Sequence, residues 1–104
     1  MTLYTEQNHR LLVRSHAFSL EYSDCLSFYD SDGTNKEFLI EEACGESFRV
    51  ELETKRRYLT INFNTDVRDI DEGATLAITS TSEGMFSLQF EVIPVTLIDV
   101  QRIT

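Results

Sequence analysis

The chain has 104 residues, 41% hydrophobic and 26% charged, the composition of one small globular domain, and that length leaves no room for a second. Eighteen acidic residues against nine basic ones give a net charge of -9, which argues against nucleic acid as a direct partner, because binding to a phosphate backbone is driven by Lys and Arg releasing counterions. No apolar run approaches the roughly 18 residues of a membrane span and MTLYTEQNHR carries no apolar signal-peptide core, so the expectation is a soluble protein, cytoplasmic location favoured, with no membrane partner.

Apolar residues alternate with polar ones along most of the chain, between turn signals, which predicts strands. HRLLVR (9–14) reads as the first, and AFSLEYS (17–23) as the second, with Phe18, Leu20 and Tyr22 on one face. CLSFY (25–29) places Leu26 and Phe28 inward and Cys25, Ser27 and Tyr29 outward; the turn SDG (31–33) separates it from KEFLIEE (36–42), which contributes Phe38 and Ile40. FLIEEA has helical spacing but is too short to nucleate a helix. SFRVELE (47–53) buries Phe48, Val50 and Leu52, and YLTINFN (58–64) buries Leu59, Ile61 and Phe63, with TKRR between them as a hairpin loop. ATLAITS (74–80) alternates Ala74, Leu76 and Ile78, and MFSLQFEV (85–92) alternates Phe86, Leu88, Phe90 and Val92 across a short TSEG turn. These four segments read as a meander, and VTLIDVQRI (95–103) after Pro94 closes the series. About nine short strands cannot form one flat layer with both faces covered, so the predicted fold is all-β: a single domain over residues 1–104 built as an antiparallel two-sheet β-sandwich or jelly roll.

The two cysteines, Cys25 and Cys44, are too few for a disulfide-dense secreted scaffold, and reducing surroundings are the simpler reading. One bridge between them would contribute on the order of 3 kcal/mol in the chain-entropy model. The outward parity of Cys25 argues against it, and a Cys/His zinc site is not expected with His9 and His16 far from both thiols in sequence. Two acidic clusters, Glu21, Asp24, Asp30 and Asp32 and then Asp66, Asp69, Asp71 and Glu72, offer the oxygen ligands calcium takes, although DSDG fails the EF-hand spacing and Asp is also an ordinary turn former. Neither thiol sits in a local signature for a Cys/His nucleophile, and 18 acids can be paired in too many ways to mark a glycosidase, so no catalytic residue is predicted and the chain reads as a non-enzyme.

Lys55, Arg56 and Arg57 are the one basic run, either a solubilising turn or a contact for an acidic partner. Tyr22, Tyr29 and Tyr58 fall on or near polar faces, where a phenol can serve a protein interface.

The stretch from Asp24 to Thr79 also resembles a CUB domain, a two-sheet β-sandwich of extracellular interaction proteins. The matching pieces are DCLSFYDSDG, then ACG at 43–45, then LTINFNTD at 59–66 followed by Gly73. The resemblance implies a calcium site with Asp24 and Asp66 as ligands and Glu21 as a third. The leading functional expectation is a non-catalytic protein-interaction module, an adaptor or a structural subunit of a homo-oligomer or larger assembly, with no resident cofactor. The alternatives are an acidic inhibitor or decoy that occupies a basic nucleic-acid-binding groove, as the charge permits, and a calcium-dependent CUB-like ligand binder.

Overall fold

The computed structural model describes residues 1–19, 25–44, 49–64, 73–82, 90–95 and 100–103. Period-two alternation produces nine strands among them: β1 (Thr2–Tyr4), β2 (His9–Ser19), β3 (Cys25–Tyr29), β4 (Leu39–Cys44), β5 (Glu51–Glu53), β6 (Tyr58–Asn64), β7 (Gly73–Ser82), β8 (Glu91–Pro94) and β9 (Val100–Arg102). They form a five-stranded sheet in the order β4-β3-β6-β1-β9 and a four-stranded sheet in the order β5-β2-β7-β8. One apolar cluster is shared by both: Leu3, Leu26, Phe28, Leu59 and Ile61 come from the first sheet, Leu11, Val13, Leu52, Leu76 and Ile78 from the second, and Val50 from just before β5. The fold is therefore all-β and sandwich-like, held by the burial of two inner faces against each other.

The inward parity read from sequence holds around β5 and along β6 and β7 but not on β8, where Val92 is 50% exposed and Ile93 enters the core, nor on the outward side of β3, where Ser27 and Tyr29 are buried. Val50, Leu52, Leu59, Ile61, Leu76 and Ile78 are all buried. Phe90 is half-buried, with the Arg14 guanidinium 4.4 Å above its ring. Phe48, Phe86 and Leu88, and the side chain of Phe63, lie outside the described residues.

The pairing of strands departs from the sequence reading. The four segments from 47 to 92 are not a meander, because β5 pairs with β2 while β6 pairs with β3 and β1. TKRR is accordingly a crossing between sheets rather than a hairpin loop. The expected all-antiparallel pairing fails at one edge, where β1 and β9 run parallel with Leu3 opposite Gln101. HRLLVR and the described start of AFSLEYS, residues 17–19, are one strand, not two, and the register against β7 slips between Ser15 and Ala17. A one-residue bulge at His16 produces the switch from odd to even apolar positions that imitates a strand break. In KEFLIEE, a single 3-10 turn over Lys36–Phe38, capped by Asn35 Oδ1 accepting the Glu37 N–H at 3.1 Å, lifts Phe38 out of the alternation. Ile40 is then 39% exposed on the free edge of the sheet, and Ala43 is the β4 residue that enters the core.

Cys25 and Cys44 are bridged, contrary to the parity argument. The parity itself is right, since Leu26 and Ala43 point into the core and the cysteines point away from it. The error lay in expecting outward cysteines to stay apart. They sit directly opposite each other in the β3–β4 register, with Cα atoms 4.1 Å apart.

Candidate functional site

Two crossings between the sheets lie side by side. One runs from β1 to β2 through Thr5–Asn8 and the other from β5 to β6 through Thr54–Arg57. Asn8 adopts a left-handed backbone (φ 65°), which Asn tolerates, and closes a turn in which the His9 N–H donates to the Glu6 carbonyl at 3.2 Å. Thr54 fastens the second crossing to β2. Its N–H donates to the Leu11 carbonyl at 2.9 Å, its Oγ1 accepts the Leu11 N–H at 2.9 Å, and the same hydroxyl donates to the Arg56 carbonyl at 2.6 Å. The Thr5 N–H adds a bond to the Arg57 carbonyl at 3.0 Å. Thr5 and Thr54 are both buried, so these are interior bonds that are costly to leave unmade.

The segment between β3 and β4 forms the third wall. Asp30, 8% exposed, accepts the Lys55 N–H on Oδ2 at 3.0 Å, and its carbonyl accepts from Arg56 at 3.4 Å. The Asp30 N–H donates to the Phe38 carbonyl at 2.7 Å, which brings the 3-10 turn against the crossing. The Arg56 guanidinium lies 4.6 Å from the Phe38 ring centre, and that of Arg57 lies 4.9 Å from the Tyr58 ring centre. Stacking on a ring occupies the face of a guanidinium and leaves its N–H edge for hydrogen bonding, which Arg56 uses in part on the Asp30 carbonyl.

Together these walls enclose an open cleft of about 820 Å³ lined by Gln7 to Arg10, Ser31, Asp32, Phe38 and Lys55 to Tyr58. Arg10, Lys55, Arg56 and Arg57 are four of the nine Lys and Arg residues in the chain, while Asp32 is the one acid among the lining residues. Arg10 is paired with Glu53 at 2.6 Å. Lys55, Arg56 and Arg57 form no ion pair among the described residues, so their charges face the cleft uncompensated by a carboxylate contact. A concentrated positive site has thus formed on a chain of net charge -9.

Comparison with protein-family models, with curated proteins and with solved structures finds no match. Among the described residues, no helix is long and apolar enough to cross a membrane.

The predicted contact residues separate in space. Lys55, Arg56, Arg57 and Tyr58 meet in the cleft. Tyr29 is 9% exposed within β3, and Tyr22 lies outside the described residues. The three calcium ligands implied by the resemblance, Glu21, Asp24 and Asp66, also lie outside them. Asp30, counted with the first acidic cluster, is consumed as a support beneath the Lys55 turn. The thiols and imidazoles are not brought together as a nucleophile and base: Cys25 and Cys44 are bonded to each other in the five-stranded sheet, whereas His9 and His16 belong to β2 in the other. Sequence reasoning missed Arg10, His9 and Phe38 as members of the site. The turn residues around Asn8 signal a chain reversal, but only the crossings between sheets reveal which loop that reversal faces.

Proposed function

We propose that this chain is a non-catalytic protein-interaction module, an adaptor or structural subunit, whose basic cleft takes an acidic segment of a protein partner. The observation that carries this reading is the gathering of Lys55, Arg56 and Arg57 in one cleft, with two of the guanidiniums held on the rings of Phe38 and Tyr58. Guanidinium edges presented this way match carboxylates in the bidentate geometry that gives the stronger charge-assisted hydrogen bonds. The aromatic rings supply the amphipathic surface around them. The acidic remainder of the chain steers an acidic partner away from other faces, so the cleft sets both the place and the direction of approach.

The experiment is a titration with a synthetic glutamate-rich peptide, followed by fluorescence anisotropy at low and high salt. Binding should weaken as salt shortens the Debye length from about 10 Å at 0.1 M to about 3 Å at 1 M. Replacing Lys55, Arg56 and Arg57 together with Glu should abolish it. Binding that survives this charge reversal overturns the cleft as the contact. If the protein instead captures a basic, DNA-binding partner and ignores the acidic peptide, the decoy reading takes its place. The CUB-like calcium reading has its own test, since calcium held only by the folded state must raise the melting midpoint over that in EDTA.

A further inference from the structure

The face of β3 and β4 that carries the disulfide contains a second set of chemically specific groups. Glu42 and Cys44 are two residues apart on β4 and therefore share a face, as Cys25 and Ser27 do on β3. The register sets Cys25 opposite Cys44 and Ser27 opposite Glu42, so the four side chains form a compact block. One ligand atom each from Cys25, Glu42 and Cys44 lies within 4.8 Å of the others. The Cys44 sulfur is 3.9 Å from Glu42 Oε1, while the Ser27 hydroxyl donates to Glu42 Oε2 at 3.3 Å. The carboxylate is thus held by one oxygen with the other turned toward the sulfurs. Leu26 and Ala43, both fully buried, anchor the two strands from the opposite face.

The geometry points to a redox-gated zinc site in which Cys25, Cys44 and Glu42 are the protein ligands and Ser27 positions the carboxylate. In the bridged form the sulfurs are bonded to each other and offer no thiolate. A small dithiol opens the site by exchange: one of its thiolates attacks a sulfur of the bridge, the Cys25–Cys44 bond breaks, and its second thiol releases the resulting mixed disulfide. The reductant leaves as its cyclic disulfide, and its two electrons and two protons leave Cys25 and Cys44 as thiols. Exposure of Cys44 on an edge strand gives the reductant access. Zinc then displaces the two thiol protons and binds two thiolates and one carboxylate, with a fourth tetrahedral position open to water. Two sulfurs and one oxygen select zinc over calcium, which takes oxygen ligands. Zinc and the disulfide therefore close the same pair of strands in alternative redox states.

The test starts with protein reduced by a phosphine and freed of reductant. Cobalt(II) added as a spectroscopic stand-in should give thiolate-to-metal charge-transfer and tetrahedral d–d bands, and one equivalent of zinc should erase them. The oxidised protein should show neither. Glu42→Gln should weaken zinc binding by about tenfold or more while leaving the melting midpoint of the oxidised protein unchanged, and Ser27→Ala should weaken it less. The Cys25→Ser/Cys44→Ser double variant reports on the fold without the bridge and should bind no zinc. Equal zinc affinity in Glu42→Gln and the parent overturns the carboxylate as a ligand. Absence of the charge-transfer band, or loss of the sheet circular-dichroism signal on reduction that zinc does not restore, overturns the site altogether.

Discussion

The two ends of β4 are built from opposite chemistry on the same strand pair. At its beginning the 3-10 turn delivers Phe38 to the Arg56 guanidinium, and a delocalised cation lies over an aromatic ring. At its end Glu42 and Cys44 face Ser27 and Cys25, placing a carboxylate beside sulfur. The first end depends on contacts between distant loops, the second on the β3–β4 register. An edge strand can therefore serve two unrelated sites if its inner face is tied to the core, here through Ala43. Perturbations that reach one end and spare the other are the means of testing whether the two are separate.

The largest effect is expected from a change that damages both. Phe28 is fully buried and lies in β3 opposite Glu41 of β4 and Ile61 of β6. Phe28→Ala should cost roughly 3–5 kcal/mol of unfolding free energy, read by denaturant titration. A cost near that of a surface change, below about 1 kcal/mol, would show that this face of β3 is not the shared support.

Removal of the bridge comes next and acts on one end. Closing the loop between Cys25 and Cys44, 19 residues apart in sequence, is worth on the order of 3 kcal/mol in the chain-entropy model. The double Cys→Ser variant should therefore melt about ten degrees or more below the oxidised parent. Its affinity for the glutamate-rich peptide should be unchanged. A parallel loss of peptide binding would join the two ends into one cooperative unit.

The reciprocal change is Thr54→Val, at the cleft end. It removes the acceptor for the buried Leu11 N–H and the donor to the Arg56 carbonyl while keeping the side-chain volume. The expected cost is about 1–3 kcal/mol for unmade interior hydrogen bonds, with weaker peptide binding because the crossing loses its fastening. Zinc affinity of the reduced protein should not move.

The same contrast explains what was legible from residue order. Val50, Leu52, Leu59, Ile61, Leu76 and Ile78 were readable because parity is local: a side chain two positions away shares a face whatever the strand pairs with. Sheet membership was not, since nothing within TKRR distinguishes a hairpin from a crossing. The three-residue β1 holds one fully buried side chain, Leu3, too little for an alternating pattern, and its parallel pairing with β9 joins opposite ends of the chain. The basic run and Tyr58 were visible as one end of a site, whereas Phe38, His9 and Arg10 reach it only through tertiary folding. For the cysteines, outward parity on each strand was readable and their register was not.

The smallest effect separates charge from stacking within the cleft. Arg56→Lys preserves the positive charge, so a contact made by net charge should keep its affinity. The planar guanidinium, however, lies 4.6 Å from the Phe38 ring centre and also donates to the Asp30 carbonyl at 3.4 Å. A lysine ammonium is a compact point charge without the planar fork, and it cannot reproduce both contacts at once. Loss of an exposed stacking contact is worth about 0.5–1 kcal/mol, which corresponds to a two- to fivefold weaker peptide affinity. The salt dependence should stay parallel to that of the parent, because the number of charges is the same. An Arg56→Lys variant that binds as tightly as the parent would reduce the cleft to a cluster of charges, with the Phe38 ring contributing shape but no affinity.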